Sequence, residues 1–171
     1  MVAPTLDGCA QRVIFLDIDG VLNSLGSVIA LGNPNHHLDP VAVKLIERVC
    51  KETGAKIVVS SSWRIGRTVE QIQQELCSIG AAGVAEHIVG RTGDGHNGHR
   101  GRQIKEWIEK NSPDCTFAIT DDDSDMLPAQ KPYFVKTTFE DGFKAMHYKK
   151  MMAILDPKHA DRKIILMADA A

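Results

Sequence analysis

Two aspartates one residue apart are the feature of this chain that most clearly suggests chemistry. They are Asp17 and Asp19 in the segment VIFLDIDGVLN, which begins at Val13. The four apolar residues before Asp17 predict a β-strand that is buried on both faces. Because side chains alternate along an extended chain, both carboxylates point the same way. The two carboxylates repel each other unless a divalent cation or a shared proton lies between them, so the stretch predicts a cation-binding or proton-sharing site. The alternative is a solvated acidic turn.

Two further predicted strands also end in polar side chains. The segment 56–60 ends at Ser60, which is followed by Ser61, and the segment 115–120 is followed by Asp121 and Asp122. In a parallel sheet the carboxyl ends of the strands meet at one edge, where ligands gather. We therefore expect these residues to lie beside the first aspartate pair. The alternatives are ordinary turn or cap serines and a solvated acidic loop.

Strand and helix alternate along the chain, which predicts an α/β fold. Helices are expected over about 40–52, 68–78, 102–110 and 142–155, and shorter strands within 84–92 and at 133–135. This pattern predicts a Rossmann-like three-layer α/β/α sandwich with a mainly parallel sheet. We expect one domain over residues 1–171, with 1–11 flexible and 23–38 forming a loop, flap or small hairpin over the strand tips.

The three strand endings resemble motifs of the haloacid dehalogenase-like (HAD) superfamily of phosphohydrolases. The sequence DIDGV is similar to its first motif, IVVSS to its second and ITDDDSD to its fourth. More narrowly, FLDIDGVLNS together with SSSWR and DDDSDM resembles the HAD domain of Swiss Army Knife RNA repair proteins. The resemblance implies a HAD-like fold and covers most of the chain. Members of this superfamily commonly insert a cap domain between motifs, but the gaps here are short, so we expect no large cap domain and an open site.

The resemblance implies a role for each acidic residue. Asp17 would be the nucleophile that forms an aspartyl-phosphate, and Asp19 would be the general acid and base. The cofactor would be Mg²⁺, which suits an all-oxygen site. Asp17, the backbone of Asp19 and an aspartate of the fourth motif would hold the cation. Asp121, with Asp125 as its helper, is the first choice for that aspartate, and Asp122 is the alternative.

Phosphate binding is assigned by the same resemblance. Ser60 and Ser61 would donate hydrogen bonds to the phosphoryl oxygens, and Arg64 follows them closely enough to reach a phosphate. The third motif of the family is a lysine or arginine. Arg100 is the first candidate, with Arg102 and Lys105 as alternatives. Trp63 is expected either to stack on a base or to pack against its own helix.

Composition limits the function classes. The net charge of −2 gives no general basic field for nucleic acid. Four scattered cysteines without a CxxC pair, and the lack of a signal peptide or membrane span, predict a cytoplasmic protein. From the resemblance and the open site, we expect a Mg²⁺-dependent phosphatase acting on a nucleic-acid end with a 3′-phosphate or on a nucleotide. The alternatives are a non-catalytic phosphate-binding module and a phosphotransferase or phosphonatase with the same nucleophile. The oligomeric state stays open.

Overall fold

A five-stranded parallel sheet forms the centre of the protein, as a computed structural model shows. The structure describes residues 11–32, 37–156 and 158. The strand order is β3-β2-β1-β4-β5, and every neighbouring pair is parallel. The strands are β1 (Arg12–Leu16), β2 (Lys56–Val59), β3 (Ile88–Arg91), β4 (Thr116–Asp121) and β5 (Phe134–Lys136). The strand that carries the first aspartate pair is therefore central, between the strands that carry the serines and the other aspartates.

Helices cover both faces of this sheet. They are α1 (Leu25–Leu31), α2 (Pro40–Thr53), α3 (Val69–Ser78), α4 (Ala82–Ala85), α5 (Arg100–Asn111) and α6 (Ala145–Leu155). Ile14 and Leu16 of β1 belong to the core cluster that contains residues of α2, α3 and α6. Val13 and Phe15 belong to a second cluster with Ile104 of α5. This alternation along one strand confirms the predicted three-layer α/β/α sandwich.

The local signals explain most helix boundaries. Asp39 accepts hydrogen bonds from the backbone N–H groups of Val41 and Ala42, with Pro40 in the first turn of α2, and Gly54 ends the helix in the left-handed conformation. Helix α5 begins at Arg100, two residues before the predicted start, because the side chain of His99 caps it. The first turn of α5 therefore includes Arg100, which the sequence placed in the loop before the helix.

The segment after β1 differs from its prediction. We expected a loop or small hairpin at 23–38, but residues 25–31 form helix α1. Ser24 and Ser27 explain the helix, because each side chain accepts a hydrogen bond from the backbone N–H of the other. Residues 33–36, the N-terminal 1–10 and the apolar segment 163–167 lie outside the described residues. Helix α4 was not predicted either, and it ends at Ala85, inside the stretch 84–92 in which β3 is the expected strand.

Candidate active site

Three carboxylates converge at the carboxyl edge of the sheet. One oxygen each of Asp17, Asp121 and Asp122 lies within 4.8 Å of the others, and in the described part of the chain no other group of three potential metal ligands is this close. Asp17 follows β1 and Asp121 ends β4, and the two strands are hydrogen-bonded neighbours. The backbone N–H of Asp17 donates to the carbonyl of Thr120 at 3.0 Å. Strand pairing therefore holds two of the carboxylates side by side.

Arg100 joins this acidic cluster. Its Nη1 lies 3.1 Å from Asp17 Oδ1 and 2.5 Å from Asp121 Oδ2. The backbone N–H of Arg100 donates to Asp125 Oδ2 at 2.7 Å, which fixes the start of α5 beside the cluster. The two alternative cations, Arg102 and Lys105, are exposed and line a groove on the outer side of α5. Arg100 is therefore the one of the three candidates that contacts the acidic cluster.

Burial and mutual repulsion perturb the acids. Burial and the nearby Asp17 raise the pKa of Asp121 to about 8. The same two causes raise the pKa of Asp122. Partial burial lowers the pKa of Arg100, but Asp17 and Asp121 outweigh this effect, so that the pKa is raised overall. A single guanidinium does not balance three crowded carboxylates, so the site favours bound protons or a further cation. The donors are all carboxylate oxygens, which fits a hard cation such as Mg²⁺.

Gly20 allows the chain to turn behind the aspartates. Its φ of +73° lies in the left-handed region, which favours glycine. A Cβ atom at this position would lie 2.4 Å from Asp122 Oδ2 and 2.5 Å from its Cγ. The space that glycine leaves empty is therefore occupied by the third carboxylate of the cluster.

Asp19 lies on the same turn and is held by two side chains. Its Oδ1 accepts a hydrogen bond from Asn23 Nδ2 at 2.8 Å, and its Oδ2 accepts one from Trp63 Nε1 at 3.0 Å. Asn23 also accepts from the backbone N–H of Gly20 at 2.9 Å. Neither partner was predicted for Asp19. A sequence signal was available for Asn23, which lies four residues away, but the contact to Trp63 joins residues that are far apart in the sequence.

The predicted phosphate-binding serines lie at the tip of β2. Ser60 and Ser61 are fully buried, and the backbone N–H of Ser60 donates to the carbonyl of Leu16. The hydroxyl of Ser60 has no hydrogen-bond partner within the described residues. The hydroxyl of Ser61 accepts a long hydrogen bond of 3.4 Å from the backbone N–H of Trp63. A buried hydroxyl without a partner is costly, so Ser60 is suited to bind an incoming ligand oxygen.

Arg64 occupies a different environment from the one expected. It is 4% exposed, and its Nη1 donates to the carbonyls of Ser60 and Ser61 at 3.1 and 2.7 Å. Its Nη2 donates to the carbonyl of Gly93 at 3.1 Å and to Gln103 Oε1 at 2.8 Å. The guanidinium thus ties the serine turn to the loop before α5 and to α5 itself. These hydrogen bonds were missed because the sequence does not show which carbonyls face inward.

His96 and His99 lie just before α5 and are not among the grouped potential metal ligands of the described residues. His96 Nε2 pairs with Glu106 at 2.9 Å on the outer side of α5, and His99 serves as the cap of α5. Both are part of the glycine-rich loop before α5. No helix among the described residues is both long and apolar enough to cross a bilayer.

The sequence matches a known protein family over most of its length. Residues 13–148 match the family described as the HAD domain in Swiss Army Knife RNA repair proteins. The chain belongs to this family. The match begins in β1 and ends in α6, so it spans the sheet and every residue of the acidic cluster. No curated protein and no solved structure matches the chain.

Proposed function

We propose that this HAD domain is a Mg²⁺-dependent phosphatase that hydrolyses phosphomonoesters through an aspartyl-phosphate intermediate. The observation that carries the proposal is the cluster of Asp17, Asp121 and Asp122 with Arg100 at the carboxyl edge of the sheet. A carboxylate at the tip of a central strand, beside a fixed cation, is suited to attack a phosphorus atom. The family supports a phosphohydrolase-type activity.

The metal would be held by the carboxylates of Asp17 and Asp121, with the backbone of Asp19 and the carboxylate of Asp122 as further ligands. When bound, Mg²⁺ would neutralise charge on the phosphoryl oxygens and on the attacking carboxylate. Asp121 is the more buried of the two fourth-motif aspartates, whereas Asp122 is half-buried. In this proposal both lie close enough to Asp17 to share one ion.

The chain's own residues then carry out two displacements. An Asp17 carboxylate oxygen attacks phosphorus, and the bond between phosphorus and the leaving oxygen breaks while Asp19 protonates that oxygen. A water molecule next attacks the phosphorus of the aspartyl-phosphate, and Asp19 takes the proton of that water. Inorganic phosphate leaves and the Asp17 carboxylate is restored. Arg100 stabilises the added negative charge, and Ser60 with Ser61 binds the phosphoryl oxygens.

Arg64 takes a supporting role in this scheme. The structure gives its donors to protein acceptors, so we propose that it holds the backbone of Ser60 and Ser61 in place. A direct contact between Arg64 and a phosphate would require the side chain to leave these hydrogen bonds.

The substrate is proposed to be a phosphate on a nucleic-acid end, with a 3′-phosphate favoured, or a nucleotide. Two observations support it. The family is named for RNA repair proteins. Between β1 and α2 the described part of the chain contains only the short helix α1, so a large substrate could approach the strand tips.

A phosphatase screen tests the proposal. Purified protein is given nucleotides, 3′- and 5′-phosphorylated oligonucleotides, sugar phosphates and phosphopeptides, with Mg²⁺ or with EDTA. We expect phosphate release that requires Mg²⁺ and is lost in Asp17→Asn. Asp123→Asn is the matched control, because Asp123 is an exposed aspartate of the same acidic loop. Binding without turnover would identify a phosphate-binding module, and transfer to an added alcohol would identify a phosphotransferase.

A further inference from the structure

Both carboxylate oxygens of Asp19 accept hydrogen bonds from side-chain N–H groups. Asn23 lies on the same turn, so its hydrogen bond is local. Trp63 belongs to the turn that follows β2, so its hydrogen bond crosses from one strand tip to the next. The tryptophan therefore connects the predicted acid and base to the element that carries the phosphate-binding serines.

Trp63 is itself firmly placed. It is 8% exposed and packs in the larger core cluster. The guanidinium of Arg67 lies 5.9 Å from the centre of its ring, and Arg67 Nη1 donates to the carbonyl of Trp63 at 3.1 Å. Arg67 is held in turn by Glu75 of α3 at 3.1 Å. The indole N–H thus projects from a fixed ring, and its only proton-bearing nitrogen faces Asp19.

An indole is a donor only and does not exchange protons in catalysis. Trp63 therefore cannot replace Asp19 as an acid or a base. What it can do is fix the orientation of the carboxyl group, because a bond at 3.0 Å from a rigid donor restricts the side-chain torsions of Asp19. Placement matters here, since proton transfer requires the acid to lie within hydrogen-bond reach of the leaving oxygen.

We propose that Trp63 is a positioning residue that orients Asp19 for proton transfer to the leaving oxygen of the substrate. The inference rests on the proposed function, in which Asp19 delivers that proton while the bond between phosphorus and oxygen breaks. Trp63 touches neither phosphate nor metal in this scheme. Its neighbours Ser60 and Ser61 bind the phosphoryl group, so one turn of the chain places both the phosphate and its proton donor.

If Trp63 orients Asp19, the rate lost on its replacement should depend on the leaving group of the substrate. If Trp63 only stabilises the fold, the loss should be the same for every leaving group. A p-nitrophenolate ion is a weak base and leaves without a proton. An alkoxide, such as the leaving oxygen of a sugar phosphate, is a strong base and must be protonated as it leaves. Loss of Asp19 orientation should therefore slow the hydrolysis of alkyl phosphates much more than that of p-nitrophenyl phosphate. A general loss of folded protein would lower both rates by the same factor.

The experiment compares kcat/KM for p-nitrophenyl phosphate and for an alkyl phosphate in wild type and Trp63→Phe, because this ratio reports the formation of the aspartyl-phosphate. We expect the alkyl substrate to lose about tenfold or more beyond the loss on p-nitrophenyl phosphate, a part of the roughly 10²- to 10⁴-fold effect of general acid catalysis. Trp107→Phe is the matched control, because Trp107 is the second of two tryptophans and packs on the other face of the sheet against Phe15. It should show no such split.

A second variant and a second readout separate the possible failures. A benzothienyl-alanine at position 63 keeps the ring shape but replaces the N–H with sulfur, so it should show the same split even if Trp63→Phe folds poorly. In NMR spectra, Asp19→Ala should move the indole N–H signal of Trp63 and leave that of Trp107 in place. Equal losses on both substrates, or an unmoved Trp63 signal, would overturn the inference alone. If the wild type hydrolyses neither substrate, the proposed function and the inference are both overturned.

Discussion

Replacement of Arg64 by leucine should lower the free energy of unfolding by more than a substitution at the surface would. The side chain makes hydrogen bonds to the carbonyls of Ser60, Ser61 and Gly93 and to Gln103 Oε1, and it is 4% exposed. A hydrogen bond from a charged donor contributes about 1.5–3 kcal/mol, and each buried acceptor left without a partner costs about 1–3 kcal/mol. These contributions overlap because they share one network. We therefore expect Arg64→Leu to lower the free energy of unfolding by about 3–5 kcal/mol.

The assay is urea unfolding followed by circular dichroism, in which this loss moves the midpoint to a lower urea concentration without changing the slope. Arg91→Leu is the control. Arg91 reaches the same loop through Asp94 at 3.2 Å but is one-third exposed, so its loss should cost less than about 1 kcal/mol. If Arg64→Leu is as stable as the wild type and only raises KM, Arg64 contacts the substrate phosphate, and the proposal that it holds the backbone of Ser60 and Ser61 in place is wrong.

Three further substitutions test other parts of the structure. Gly20→Ala should destabilise the protein by about 2–4 kcal/mol in thermal unfolding, because it combines a left-handed backbone with a contact of 2.4 Å to Asp122; full stability would contradict this geometry. Arg12→Leu should cost about 2–3 kcal/mol in urea unfolding, because Arg12 donates to the last carbonyls of α2 and α6 at 2.9 Å; a loss below about 0.5 kcal/mol would show that these contacts do not matter. Glu47 accepts hydrogen bonds from Lys44 and then Lys51, which lower its pKa to about 2. The ionised Glu47 stabilises the fold by about 1 kcal/mol at most, because both lysines are exposed. This stabilisation is present above pH 4.5 and is lost as the pH falls towards 2. The difference in stability between wild type and Glu47→Gln should shrink over that range, and a constant difference would refute the assignment.

The sequence predicted the fold because its strongest signals are local. The apolar run before Asp17 has the length and residue types of a buried strand, and Asp39 with Pro40 marks the start of α2. Helix α1 was missed because its cap is a serine pair, Ser24 and Ser27, rather than the usual serine followed by glutamate. Between Gly26 and Gly32 the residues of α1 are apolar apart from Ser27 and none is charged, so they show no helical periodicity.

The candidate site was predictable only where strand ends supply it. Parallel pairing alone brings Asp17 and Asp121 together, so topology was sufficient. The contact between Trp63 and Asp19, and the inward direction of Arg64, depend on how one short turn folds over its neighbour. Such orientations are set by tertiary packing, and no spacing in the sequence encodes them.

The most direct test of the account is to trap the covalent intermediate. Asp19→Asn should still accept a phosphoryl group but hydrolyse it slowly, since the base that activates water is missing. After mixing with a good aryl phosphate and Mg²⁺ and quenching in acid, mass spectrometry of the peptides should find one phosphoryl group on Asp17. The same experiment with Asp17→Asn should find none. Release of phosphate by Asp17→Asn at the wild-type rate would contradict the proposal that this carboxylate is the nucleophile.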